Sequence, residues 1–184
     1  MKLGFIGTGN ISSDVITGIC NSKISFKRIV VSPRNKQKAQ KLKKKFKRVS
    51  IAKSNQEVID KSDWVFLGVL PKVGEKILPR LNFKTNQTIV SFISTINYAQ
   101  LKKIVKKKAK IVRAIPMPPI SLGKGPVPIF PPDKKVKNFF DKIGTTIEIK
   151  SEKLSKNFWA ISGSMASFYE LLKVLSDWLV KKKL

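Results

Sequence analysis

The tightest constraint on how this chain can fold lies in its first twenty residues. An apolar run from Leu3 to Ile6 leads without a gap into Gly7-Thr8-Gly9-Asn10-Ile11-Ser12, and Ile11, Val15, Ile16 and Ile19 then recur at helical spacing. A strand, a glycine turn and a helix in that order form the context in which a G-x-G-x-x-small segment holds a dinucleotide. Gly7 permits the tight turn, Gly9 leaves bare backbone for a pyrophosphate, and Ser12 is small enough for strand and helix to pack closely. The helix would then aim its unpaired N–H groups and positive dipole end at the phosphates. A tight strand–helix turn that holds no ligand would give the same local pattern.

The remaining chain extends this alternation. Apolar, β-branched runs fall at 3–6, 28–31, 49–52, 64–70, 88–93 and 111–115, with helical patterns at 11–21, 35–46, 55–61, 73–81 and 97–108. Strands alternating with helices through short connections predict an α/β fold, a Rossmann-like, doubly wound and mostly parallel sheet with helices on both faces. Right-handed crossovers bring the carboxyl ends of the strands to one edge, where ligands bind. Segment 116–132 is dense in proline and reads as a shaped loop, followed by a short helix (134–142) and a strand (144–149). The α/β domain is expected to span residues 1–150. From Ser151 the pattern is helical, with Phe168, Leu171, Leu172, Leu175, Trp178 and Leu179 on one apolar stripe. A stripe of that size predicts a partner, either another subunit or further chain.

Composition narrows the chemistry. The chain has no histidine and a single cysteine, Cys20. Ser-His-Asp and Cys-His catalysis, histidine metal sites, thiolate clusters and an internal disulfide are thereby excluded, and no metal is expected. The net charge of +27 invites a nucleic-acid partner, yet only five of the 38 basic residues are Arg, and aromatics are not interleaved among the lysines. Base readers lean on Arg and on stacking aromatics, so the lysines are read as a solvated surface, without specific nucleic-acid binding. No apolar stretch reaches the ~18 residues of a membrane span. The first strand starts too early to leave room for a signal peptide, and a cytoplasmic protein with a small-molecule substrate is expected.

The end of the second strand selects the cofactor. NAD-binding folds place a carboxylate there for the ribose hydroxyls. Here the segment reads Val31-Ser32-Pro33-Arg34-Asn35-Lys36, with no carboxylate between Asp14 and Glu57. Ser32 and Asn35 can donate hydrogen bonds to a 2′-phosphate and Arg34 can pair with it, which favours NADP(H) over NAD(H). Ordinary capping of a helix by Ser32 or Asn35 is the plainer alternative.

Five segments together resemble the pyrroline-5-carboxylate reductases. Gly4 to Ser12 is similar to the family's G-F-I-G-x-G-N-M-A, and Ser62-Asp-Trp-Val-Phe-Leu-Gly-Val-Leu-Pro71 to A-D-V-V-F-L-A-V-K-P. Val90 to Thr95 stands where the family has a strand ending in S-x-A-A-G, and Val112 to Pro119, with Gly123 and Gly125, resembles V-R-x-M-P-N-T-P followed by G-x-G. Ser162-Gly163-Ser164 with Phe168 resembles the S-G-S-G-P-A-Y motif that opens a helical dimerisation domain.

The resemblance implies an NADP(H) site built from Ile6, Gly7, Thr8, Gly9, Asn10 and Ile11, with Ser32, Arg34 and Asn55, then Gly68, Val69, Leu70 and Pro71, then Ser94 and Thr95. Loop 116–119, Met117 included, would border the nicotinamide. Residues 151–184 would be the first helices of an all-α dimerisation domain, giving a homodimer or higher homo-oligomer. The implied activity is NADPH-dependent reduction of the cyclic imine of pyrroline-5-carboxylate to proline. Family members continue through further helical residues that hold the substrate carboxylate across a dimer interface. The chain departs from the family pattern at Leu70 (Lys there), Ser94-Thr95 (Ala-Gly) and Met117-Pro118 (Asn-Thr), positions bordering the nicotinamide. Ser164, Ser167 and Arg113 are weak candidates for the substrate carboxylate, and no catalytic residue is assigned. Two other readings remain: a relative of the 3-hydroxyacid dehydrogenases, which would need a helix lysine such as Lys173, and a non-catalytic NADP-binding module.

Overall fold

Strands with large apolar residues on both faces need helices on both sides of the sheet, and that is the architecture found. The computed structural model describes residues 1–106 and 109–182, with the side chains of 155–166 outside that description. The elements run β1 (Lys2–Ile6), α1 (Asn10–Asn21), β2 (Arg28–Val31), α2 (Lys36–Lys45), β3 (Val49–Ile51), α3 (Asn55–Asp60), β4 (Trp64–Leu67) and α4 (Pro71–Ile77). They continue through β5 (Thr88–Ser91), α5 (Tyr98–Val105), β6 (Lys110–Ala114), β7 (Pro126–Phe130), α6 (Lys134–Phe140), β8 (Thr145–Glu148) and α7 (Glu152–Lys181). Residues 107 and 108, assigned from sequence to the end of the fifth helix, lie outside the described residues.

The eight strands form one sheet in the order β3-β2-β1-β4-β5-β6-β7-β8. Strands β1 to β6 are parallel, while β7 runs antiparallel to β6 and carries β8 parallel to itself. The chain steps outward from β1 to β2 and β3, then returns to pair β4 on the other side of β1. That reversal opens a crevice at the carboxyl ends of β1 and β4, where such sheets bind ligands.

Strand periodicity divides the core. Leu3, Phe5, Phe66, Val90 and Val112 face α1 and α6, whereas Ile6, Val65, Leu67, Ile89 and Ile111 face the other layer with Leu78 and Leu101. Phe5 and Phe66, opposite one another in the β1–β4 register, stack with ring centroids 4.5 Å apart, and Phe92 and Phe139 close around Phe66.

One segment differs from its sequence reading. Residues 116–132, expected as a loop, contain a 3-10 turn (Pro118–Leu122) and the strand β7. Prolines mark sheets poorly because they cannot donate to a ladder. Thr145 and Ile149 of the neighbouring strand donate to the carbonyls of Gly125 and Ile129, so the odd-numbered residues of β7 face β8. Pro126 and Pro128 therefore turn their ring nitrogens toward β6, where the register is limited to Arg113↔Phe130 and Ala114↔Ile129 and Pro128 takes part through its carbonyl, which accepts the Ile115 N–H at 3.0 Å. The 3-10 turn packs on α1 so closely that a Cβ on Gly18 would come within 2.3 Å of the Ile120 carbonyl oxygen.

Helix α7 leaves the α/β body. From Ser167 to Lys182 every residue is exposed, including Phe168, Leu171, Trp178 and Val180. Phe66→Ala should cost about 3–5 kcal/mol of stability in urea unfolding, as a fully buried aromatic removed from a packed cluster does. A loss under about 1 kcal/mol would show that the β1–β4 pair is not anchored by this ring.

Candidate functional site

The crevice is shaped first by backbone. Gly7 has φ +96°, and a Cβ there would stand 2.4 Å from the Gly68 carbonyl oxygen at the end of β4. Its N–H donates to Ser32 Oγ at 2.9 Å, which fastens the turn to the end of β2. Gly9 is the N-cap of α1 and supplies no side-chain cap, and the first turn of that helix holds no acidic residue. A Cβ on Gly9 would meet only the Gly68 carbonyl oxygen, at 3.9 Å, so this glycine borders open space. The uncapped N–H groups of α1 are thus presented to the crevice with the positive end of the helix behind them.

Two adjoining cavities, sharing Gly9, Gly68, Val69 and Leu70, fill the crevice. The larger, about 510 Å³, lies on the β2 side, with Gly7 and Thr8 at its base and Arg34, Asn35, Lys36 and Gln37 along its wall. The other, about 430 Å³, lies on the β5 side against Asn10, Ile11, Pro71, Phe92, Ile93 and Ser94. Thr8 is 2% exposed in that base, and its hydroxyl has no partner. Ser12 is buried behind it, its hydroxyl likewise unpartnered, and a Cβ on Gly68 would collide with it at 2.1 Å.

Charge follows the same geometry. Asn35 Oδ1 accepts from the Lys38 N–H at 3.2 Å and caps α2, while Lys38 Nζ reaches across to Asn10 Oδ1 at the start of α1. Burial raises the Asp14 carboxyl above its usual range, and the Lys38 charge opposes that rise. The β2-side wall carries Arg34 and Lys36 and no carboxylate.

Most residues expected from sequence converge here. Gly7, Thr8, Gly9, Asn10, Ile11, Arg34, Asn35, Gly68, Val69, Leu70, Pro71 and Ser94 all line the two cavities. Ile6 is fully buried beneath them, and Ser32, 1% exposed, braces the turn from behind instead of lining the wall. Asn55, at the start of the helical pattern read over 55–61, is the first residue of α3, and it lines neither cavity. Thr95 is exposed beyond Ser94, and Met117 stands before the 3-10 turn, both outside the lining. Ser167 is exposed on α7, and the side chain of Ser164 lies outside the described residues.

Arg113 is engaged within the fold, its guanidinium paired with Glu152 and with the Ser94 carbonyl. Lys173 pairs with Asp177 one turn along the exposed helix, far in sequence from any wall of the crevice. Lining residues that the sequence reading passed over are Lys36, Gln37, Val73, Phe92 and Ile93. The first two follow Asn35 in the first turn of α2, and Phe92 and Ile93 share with Ser94 the carboxyl end of β5.

Other chemistries find little support among the described residues. No three His, Cys, Asp or Glu side chains gather there as a metal site. No described helix is long and apolar enough to cross a membrane. Burial pushes the Cys20 thiol up to about 11, with Arg48 and Lys45 opposing the rise.

Comparison with known proteins agrees with this geometry. A family model described as "NADP oxidoreductase coenzyme F420-dependent" matches residues 2–98. Pyrroline-5-carboxylate reductase 3 of Danio rerio is 30% identical over 128 residues, which cover 68% of this chain and 44% of that protein. The pyrroline-5-carboxylate reductase of Haemophilus influenzae is 24% identical over 192 residues, covering 97% of this chain and 69% of its own length. Among solved structures, 1-pyrroline-5-carboxylate reductase from Streptococcus pyogenes superposes with a TM-score of 0.82 at 27% identity, over 100% of this chain and 71% of its own. The Plasmodium falciparum pyrroline carboxylate reductase, solved with NADP bound, gives 0.83 at 25% identity with the same coverage. The chain thus spans less than half of the Danio rerio protein and about seven tenths of the others.

Gly7→Ala should unfold or strongly destabilise the protein, whereas Gly9→Val should leave its melting temperature nearly unchanged and abolish dinucleotide binding. A folded Gly9→Val variant with unaltered affinity would remove the crevice from consideration. Cys20, with little thiolate at pH 8, should react with iodoacetamide more slowly in the native protein than in urea. Equal rates would contradict its burial.

Proposed function

The chain belongs to the NADP oxidoreductase family described as coenzyme F420-dependent, and from that premise we propose that it binds NADP(H) across the two cavities and reduces the cyclic imine of pyrroline-5-carboxylate to proline. The observation that carries this reading is the uncapped, acid-free N-terminus of α1, framed by Gly7 and Gly9 and opening on a crevice with a basic wall. A dinucleotide phosphate satisfies what that geometry leaves open: the N–H groups of the first helical turn, and beside them the unpartnered hydroxyl of Thr8.

In this assignment α1 holds the pyrophosphate, and Arg34, Asn35 and Lys36 take the 2′-phosphate. Arg34 is exposed at the crevice wall, free to lie against the adenine side, and the Asn35 amide nitrogen remains available while its oxygen caps α2. Ser32 supports from behind by holding the Gly7 N–H. The nicotinamide then falls in the β5-side cavity, between Ile11, Leu70 and Pro71 on one side and Phe92 and Ser94 on the other.

The cofactor, when bound, supplies the hydride, and the protein contributes orientation and electrostatics. Ile11 and Phe92, both half-buried, give the reacting face an apolar lining. An imine carbon is electrophilic once its nitrogen is protonated, so the chemistry does not call for the histidine this chain lacks. Met117, Ser164 and Ser167 belong to the substrate side of the proposal and Thr95, next to Ser94, to the cofactor side, with α7 pairing two copies of the chain so that its apolar residues are covered. We place the protein in the cytoplasm.

Titration of the protein with NADPH and NADH should show tighter binding of NADPH, and loss of reduced-nicotinamide absorbance on adding pyrroline-5-carboxylate would report the reduction. Arg34→Asp should lower the NADPH-to-NADH affinity ratio at least about tenfold, the scale of one charge-assisted phosphate contact. An unchanged ratio would remove Arg34 from the 2′-phosphate site.

A further inference from the structure

Arg113 is buried to 6% exposure in the middle of the sheet, and a guanidinium taken out of water must find partners on the spot. One amino group donates to the Ser94 carbonyl oxygen at 2.7 Å, and the other pairs with Glu152 Oε1. The same carboxylate oxygen accepts the Tyr98 N–H at 2.8 Å. Ser94 lies in the wall of the β5-side cavity, and Tyr98 opens α5, so both ends of the connection between β5 and α5 are held by this one ion pair. Glu152 itself sits in the first turn of α7.

We infer that Arg113 and Glu152 are positioning residues that fix the Ser94 wall of the nicotinamide half of the crevice, and that they tie this wall to the root of the projecting helix α7. The inference rests on the cofactor reading above. Neither side chain lines the two cavities, so both act through Ser94 and Tyr98. Two features make the pair suited to that task. A carboxylate beside the N-terminus of α5 is favoured by that helix's dipole. The planar guanidinium offers its two amino groups in a fixed geometry to acceptors on separate segments, a fork that the single ammonium of a lysine does not reproduce. The backbone ladder from β5 to β6 runs through Ser91↔Arg113 and does not depend on the side chain, and Ile93 and Ile96 seat the connection in the core, so what the clamp adds is the position of exposed Ser94 between them. A shift at the root of α7, as when its exposed apolar face is covered, would thus be felt at Ser94.

The test uses two ligands that divide the crevice: NADPH, which fills both halves, and 2′,5′-ADP, which fills only the α1 and Arg34 side. Glu152→Gln keeps the shape and removes the charge. It should weaken NADPH about tenfold, the scale of a lost charge-assisted contact, and leave 2′,5′-ADP affinity unchanged. Should that variant melt near the assay temperature, Glu152→Asp keeps the charge on a shorter stem and should show the same split at smaller amplitude. Equal weakening of both ligands would reduce the pair to general stability, and no change in either would show that the wall holds without it; each overturns the inference. Failure of the wild-type protein to bind either ligand would overturn the cofactor reading, and this inference with it.

Discussion

The close approach of the β1–α1 turn to the end of β4 governs everything that follows in this molecule. Gly7 lies against the Gly68 carbonyl with no room for a side chain, Gly68 lies against Ser12, and Ser32 takes the Gly7 N–H from the far side. Three small residues and one hydroxyl thereby draw β1, β2, β4 and α1 together at a single point. Only because they meet so tightly does the first turn of α1 open directly on the crevice. A larger residue at any of these positions would lift the helix off the sheet and close the anion-binding edge.

Electrostatics reinforces what packing arranges. With 38 basic and 11 acidic residues the chain carries far more positive charge than any one ligand needs. What matters is where the acids are missing. The first turn of α1 and the wall formed by Arg34 and Lys36 contain none, while acids elsewhere are engaged, as Glu57 is with Lys61 and Asp133 with Lys110. A polyanion therefore meets a uniformly favourable edge, and the surplus lysines on exposed helix faces add a long-range attraction that salt would screen.

The departures from the reductase pattern cluster on the β5 side. Leu70 is 74% exposed at the lip of both cavities, where a cation would otherwise stand, and Ser94 replaces a small apolar residue in the wall. The glycine turn at the start of α1 keeps its pattern, since the constraint there is backbone geometry that tolerates little variation. The β5-side cavity is bounded by side chains, which can change without disturbing the sheet.

The order of strands and helices could be read from residues because short apolar runs and 3.6-residue periodicity are local signals. The glycine turn was equally legible: Gly7 and Gly9 do their work within one strand–helix unit. The resemblance to the reductases then supplied Gly68 to Pro71 and Ser94, each of which lies at the carboxyl end of a predicted strand. The strand β7 escaped notice since Pro126 and Pro128 argue against a ladder, and only the short β6 contact on the side they face, where Pro128 accepts a hydrogen bond through its carbonyl, makes them harmless. Ser32 was read as a ligand contact from type and position, but which way its hydroxyl points depends on the neighbouring turn. Arg113 and Glu152 are 39 residues apart, and no pattern along the chain announces their pairing or their joint hold on Ser94 and Tyr98. Sequence alone determined the α/β class, the glycine turn between β1 and α1 and the missing carboxylate after β2, all set by residues close in the chain. Tertiary structure decided the two-part crevice, the bracing of its turn and the clamp behind its β5-side wall, because these arise where distant segments are brought within hydrogen-bonding range.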